Sequence, residues 1–262
     1  MKIGFIDSGI GGLSVMKAFV SYPITADYIY IADTAHLPYG LKSHDYIHDR
    51  MQKLTEYLIQ AHHIDCLVIA CNTATAISAE KLRKAYPNPA FPIIGIEPAI
   101  KPAARSSKSK AIAILATTSM INNHRLTHLI HEFAMEVSVT KIPADDWVTL
   151  VEQGIFDGPI AEQTIHETLK PLNNSAVDQL ILGCTHFPFL EPKLRSILKP
   201  KIALVNPADA VAKHTQHCLA QYSIQPSESS TYRYFTTGDL ATFQNQIDLL
   251  QMPQGSVCTL AV

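Results

Sequence analysis

The chain has 262 residues, enough for two ordinary domains or one large one, and its 47% hydrophobic and 17% charged content is that of a globular protein with a sizeable core. A formal charge of −2 argues against nucleic acid or an anionic membrane surface as partner. Five cysteines, an odd number without CxxC spacing, fit a reducing compartment better than a disulfide framework; with no apolar run of signal-peptide or membrane-spanning length, the expected location is the cytoplasm.

Short β-rich apolar runs alternate with amphipathic stretches of helical length. Strands are expected at 2–7, 27–32, 66–70, 93–96, 111–116, 179–183, 202–205 and 232–235. Helices are expected at 13–22, 43–62, 74–86, 122–133, 145–153, 159–169, 190–198 and 208–221; the longest carries Tyr46, Ile47, Met51, Leu54, Leu58 and Ile59 at helical spacing. This alternation predicts an α/β fold with mainly parallel sheets flanked by helices. Hinge-like stretches at 92–102 and 204–207 bracket a segment that repeats the order of the first part. The expected organisation is therefore two similar α/β domains, 1–96 with 206–262 and 97–205, with the active site in the cleft between them.

Two stretches rhyme: Cys66-Leu67-Val68-Ile69-Ala70-Cys71-Asn72-Thr73 and Gln179-Leu180-Ile181-Leu182-Gly183-Cys184-Thr185-His186. Each reads as a buried strand that ends on a cysteine, followed by small hydrogen-bonding residues and a helical pattern. In open parallel sheets, ligands bind beyond the carboxyl ends of strands, where Asp7-Ser8, Asp33-Thr34 and Thr117-Thr118 also fall. A cysteine at a strand end is usually a small buried residue, the reading kept for Cys66, Cys218 and Cys258. Asn-Thr and Thr-His make poor core material, and two thiols delivered by one device form a matched acid/base pair. One thiolate removes a proton while the opposed thiol donates one, which suits inversion of a carbon centre. Asp7 and His186 are the expected partners of the two sulfurs, and Asn72, Thr73 and Thr185 the expected donors to developing negative charge.

Competing readings are weaker. Asp7-Ser8-Gly9-Ile10-Gly11-Gly12 follows a strand and opens a helix, but Ser14 occupies the third-glycine position of a dinucleotide fingerprint and Asp7 would repel phosphate. His124, His128 and His131 share a helical face without a carboxylate or cysteine at structural-zinc spacing, so no metal is expected. No lysine stands in a Schiff-base context beside a phosphate loop. Glu152, in Leu150-Val151-Glu152-Gln153-Gly154, could point toward a cleft.

Taken together, Asp7 to Val15, Ala32-Asp33-Thr34-Ala35 with Pro38-Tyr39-Gly40, Cys71-Asn72-Thr73-Ala74, Gly183-Cys184-Thr185-His186-Phe187-Pro188 and Thr236-Thr237-Gly238-Asp239 resemble the signature segments of the glutamate racemase family, in order and across nearly the whole chain. The resemblance implies a cofactor-independent isomerase that interconverts L- and D-glutamate and supplies D-glutamate for peptidoglycan. It implies Cys71 and Cys184 as catalytic residues, the first handling the proton of D-glutamate and the second that of L-glutamate. Substrate contacts implied in the same way are Asp7, Ser8, Tyr39, Gly40, Asn72, Thr73, Thr117, Thr185 and His186. A homodimer is common in the family. Two departures stand out: Met120 replaces a frequent second threonine, and Asn206 a common aspartate. The alternatives are an aspartate or broad-specificity racemase of the same superfamily, and a two-domain clamp that binds a dicarboxylate without turning it over.

Overall fold

A computed structural model describes residues 1–22, 24–222 and 224–262. The chain runs through β1 (Lys2–Asp7), α1 (Leu13–Ser21), β2 (Asp27–Ala32), α2 (His44–Tyr57), β3 (Cys66–Ile69), α3 (Asn72–Ala85) and β4 (Ile93–Gly95). It continues with α4 (Ile100–Ser106), β5 (Ala111–Ala116), α5 (Thr118–Ile121), α6 (His124–Phe133), β6 (Ser138–Pro143), α7 (Asp145–Glu152), α8 (Pro159–Leu169), β7 (Gln179–Leu182), α9 (Glu191–Ile197) and β8 (Ala203–Val205). It closes with α10 (Ala208–Gln221), β9 (Thr231–Thr236), α11 (Leu240–Leu249) and β10 (Ser256–Thr259). No helix among the described residues is long and apolar enough to cross a membrane.

The elements fall into two compact units, Met1–Ile96 with Ala208–Val262, and Glu97–Pro207. The first holds a six-stranded sheet in the order β10-β9-β2-β1-β3-β4, the second a four-stranded sheet in the order β6-β5-β7-β8. Every described strand pair is parallel. The α/β fold with parallel sheets expected from the alternation is therefore present. Central strands β1, β3, β5 and β7 are buried almost throughout, which explains their continuous apolar runs.

Topology decides where chemistry can gather. From β1 the chain goes to β2 on one side, while β3 lies on the other, so the connections after β1 and β3 diverge. In the second unit β5 is likewise followed by β6 on one side, with β7 on the other. Each unit thus has one switch point, beyond the ends of β1 and β3 and beyond the ends of β5 and β7. A crevice at the carboxyl ends of strands opens at such points.

Several elements differ from expectation. β6 and β10 were not expected, since both are edge strands whose mixed, partly exposed residues form no apolar run. Helices α4 and α11 were also not expected, and α4 follows Pro98 inside the stretch read as a hinge. The predicted long second helix ends in a π-helical turn over Leu58–His62.

Candidate active site

At the first switch point, β1 delivers Asp7 and Ser8 and β3 delivers Cys71. Asp7 is fully buried, and its Oδ2 accepts the Gly9 N–H at 2.9 Å. The loop amide that a phosphate would claim is thus already held by a carboxylate, which speaks against the nucleotide reading. Gly12 sits so close to the strands that an added Cβ would lie 2.7 Å from Asp7 Cβ and 2.9 Å from Ala70 Cβ, so the loop closes only around glycine.

Cys71 caps α3. Its backbone is extended, and its sulfur accepts the Ala74 N–H at 3.5 Å. Ser8 Oγ lies 3.9 Å from the same sulfur. An amide donor and the positive end of a fourteen-residue helix both favour negative charge at this position. Asn72 and Thr73, in the first turn of α3, are buried, and both Nδ2 and Oδ1 of Asn72 have no hydrogen-bond partner. A buried amide with neither donor nor acceptor satisfied is an exception among buried polar groups.

Tyr39 and Gly40 lie on a 3-10 turn over Tyr39–Leu41. The Tyr39 ring is buried and its hydroxyl donates to Asp33 Oδ2 at 2.7 Å. Burial, with the Asp33 charge and hydrogen bond behind it, holds this phenol well above its usual range, so it remains a donor at neutral pH.

At the second switch point, β5 leads to Thr117 and β7 to Gly183 and Cys184. Thr117 caps α5, its Oγ1 accepting the Met120 N–H at 3.3 Å, and the Met120 side chain is buried. Thr118 is held by Asp145, whose carboxylate accepts both its N–H and its hydroxyl. Cys184, Thr185 and His186 are all buried. His186 Nδ1 lies 3.6 Å from Cys184 Sγ, and Nε2 lies 2.6 Å from Oε1 of Glu152 at the end of α7. Burial alone would lower the imidazole, but the Cys184 sulfur and the Glu152 carboxylate outweigh it and hold His186 well above its usual range. The sulfur and the carboxylate that flank the ring both favour its protonated form. Phe187 meets Trp147 edge-to-face at 5.2 Å, which fixes the turn that carries His186.

The structure brings Ser8 to Cys71 Sγ, with Asn72 and Thr73 next to Cys71 in the first turn of α3, and His186 with Glu152 to Cys184; Asp7, expected beside a sulfur, binds the Gly9 N–H. Thr185 lies between Cys184 and His186 in the chain, and Thr117 follows β5, the strand paired with β7. Sequence reasoning placed His186 beside Cys184 and raised Glu152 without a partner for it. The 34 positions between Glu152 and His186 leave no local signal of their contact. Asp33 was expected at a ligand-binding strand end but given no role, and Arg50 was not singled out; Arg50 sits in an amphipathic helix where a charged residue ordinarily faces solvent, yet it is buried. Asn206 is exposed, between β8 and α10.

Over residues 3–215 the sequence matches the Asp/Glu/Hydantoin racemase family. The chain belongs to that family. It is 38% identical over 258 residues to a glutamate racemase of Ectopseudomonas mendocina, covering 97% of this chain and 96% of that protein. The glutamate racemase isoform RacE1 of Bacillus anthracis superposes with a TM-score of 0.90 at 28% identity, over 100% of this chain and 97% of that one. The Escherichia coli glutamate racemase, solved with L-glutamate and the activator UDP-MurNAc-ala, gives 0.87 at 28% identity, over 100% and 98%. The likeness to these relatives runs over nearly the whole length of each chain, not one motif alone.

Proposed function

We propose that this protein is a cofactor-independent glutamate racemase that interconverts L- and D-glutamate through Cys71 and Cys184. The observation that carries the reading is that each unit ends a central strand on a cysteine at its own switch point, each sulfur with a different proton partner. Inverting an α-carbon by a two-base route needs a base on one face and an acid on the other, and two separately supported thiols meet that need.

From L-glutamate, the Cys184 thiolate removes the α-proton, and the paired electrons remain on the α-carbon and its carboxylate. Cys71 delivers its thiol proton to the opposite face, giving D-glutamate, a Cys184 thiol and a Cys71 thiolate. The reverse reaction exchanges the roles. His186, whose protonated form Glu152 favours, stabilises charge on the Cys184 sulfur, while the Ala74 N–H and the start of α3 do so for Cys71. Asn72, with both amide atoms unpartnered, is suited to hydrogen-bond the substrate, alongside Ser8, Thr73, Thr117, Thr185 and the backbone at Tyr39 and Gly40. Asp7 braces the glycine loop that frames Ser8. The product supplies D-glutamate to peptidoglycan synthesis, and the enzyme acts in the cytoplasm as a homodimer.

The buried Met120, a thioether three positions after Thr117, favours a second reading, a racemase with aspartate or broader specificity. Proton NMR of the protein in D2O with L-glutamate and, separately, L-aspartate decides between them. Loss of the α-proton signal with inversion for glutamate, and little for aspartate, supports the first reading. Equal or faster action on aspartate supports the second. No exchange with either removes both and leaves a non-catalytic dicarboxylate clamp.

A further inference from the structure

The segment Thr236-Thr237-Gly238-Asp239 stands out in the sequence. In the structure it seats the loop that follows β2. Thr236 Oγ1 and Thr34 Oγ1 are 2.6 Å apart, and the Ala35 N–H donates to Thr237 Oγ1 at 3.1 Å. The Thr237 hydroxyl donates in turn to Asp33 Oδ1 at 3.0 Å. Gly238 completes the seat, since a Cβ there would lie 2.5 Å from Thr34 Oγ1.

From α2, Arg50 grips the same carboxylate. Its Nε donates to Asp33 Oδ2 at 3.1 Å and its Nη2 to Oδ1 at 2.8 Å, while Nη1 donates to the Val262 carbonyl at 2.7 Å. Asp33 is fully buried, and its fourth donor is the Tyr39 hydroxyl. A planar fork fixes a carboxylate in both position and rotation, which a single donor cannot do. The orientation of Asp33 in turn fixes where the Tyr39 hydroxyl can settle.

We propose that Arg50 and Thr237 are positioning residues that act through Asp33 to hold Tyr39 and Gly40 in the geometry that receives the amino-acid substrate. The inference rests on the racemase reading and deepens it. Neither residue touches substrate; they form the seat of a substrate-binding loop. The energetic logic is preorganisation: the loop is ordered before the ligand arrives, so binding does not bear the cost of ordering it.

The test pairs one readout that needs no substrate with one that does. Thr237→Val keeps the side-chain shape and removes the hydroxyl, and Thr237→Ser restores it. Thr237→Val is expected to raise amide deuterium exchange across residues 34–41 by about fivefold or more, without loosening α3. The same variant is expected to raise KM for both glutamate enantiomers about tenfold while kcat changes less than about threefold. Thr237→Ser returns both readouts to wild type, and Arg50→Lys, which keeps the charge without the fork, shows the same pattern. Combining Thr237→Val with Tyr39→Phe raises KM no further than the larger single change, because the two act along one path.

Unchanged exchange across 34–41, or multiplicative effects in the double variant, overturns the proposal. So does loosening of the loop with KM unmoved. Wild-type protein that racemises glutamate while Thr237→Val alters neither readout defeats the positioning role alone. Wild-type protein inactive on glutamate, with the loop loosened by Thr237→Val, defeats the racemase reading while the seat itself stands.

Discussion

Glu152 Oε1 lies 2.6 Å from His186 Nε2, joining the last residue of α7 to the turn that follows β7. A carboxylate is unfavourable at a helix C-terminus, where carbonyl groups already concentrate negative charge, and the imidazolium offsets that cost. His186 is raised in the folded state, so its contribution to stability is complete below about pH 6.5, the unfolded imidazole's value, and is lost as pH climbs through the folded value. Glu152→Gln should therefore cost about 2 kcal/mol in urea unfolding at pH 6, and progressively less as pH rises through the folded value. It should also lower the His186 titration midpoint read by NMR, and slow proton removal from L-glutamate about a hundredfold.

Asn72 separates function from stability. Its amide makes no hydrogen bond although it is buried, so it contributes a desolvation cost without return in the free protein. Asn72→Ala should leave the thermal midpoint unchanged or higher. The same change should lower kcat/KM for glutamate about a hundredfold or more. A large loss of stability would mean that the side chain has a structural role instead.

Gly183 sets the exit of β7. A Cβ there would lie 2.7 Å from the Leu115 carbonyl oxygen, a backbone atom of the neighbouring strand that cannot step aside. Gly183→Ala should push the strands apart next to Cys184 and cost about 1–3 kcal/mol. Its effect on kcat should exceed its effect on KM, as measured by steady-state kinetics at a temperature where the variant is fully folded.

The cysteines should differ sharply in chemical reactivity. Burial holds the Cys66 thiol far above its usual range, and its side chain is fully enclosed, whereas Cys258 is exposed. Iodoacetamide followed by peptide mass spectrometry should modify Cys258 readily and leave Cys66 untouched in the native protein.

The central strands were legible because burial on both faces writes itself as a continuous apolar run, as in Ile112–Leu115 and Leu180–Leu182. The edge strands β6 and β10 carry no such signature: β10, Ser256–Thr259, is largely exposed and reads as loop. The placement of Cys71 and Cys184 just beyond central strands was legible because each closes an apolar run and is followed by residues that make poor core. The groups that tune and support them were harder to see. Glu152 and His186, or Asp33 and Thr237, are remote in the chain and meet only when helices and strands pack. Arg50 was hidden for another reason: its partners lie beyond its own helix, so periodicity alone assigns it to solvent.

The most direct test of two-thiol chemistry follows where deuterium goes at early times. With L-glutamate in D2O and less than about a tenth converted, the D-glutamate formed should carry deuterium at the α-carbon while the remaining L-glutamate keeps its proton. That asymmetry arises because each face has its own base. Deuterium entering L-glutamate as fast as D-glutamate forms would mean that a single group serves both faces, and would contradict the roles assigned to Cys71 and Cys184.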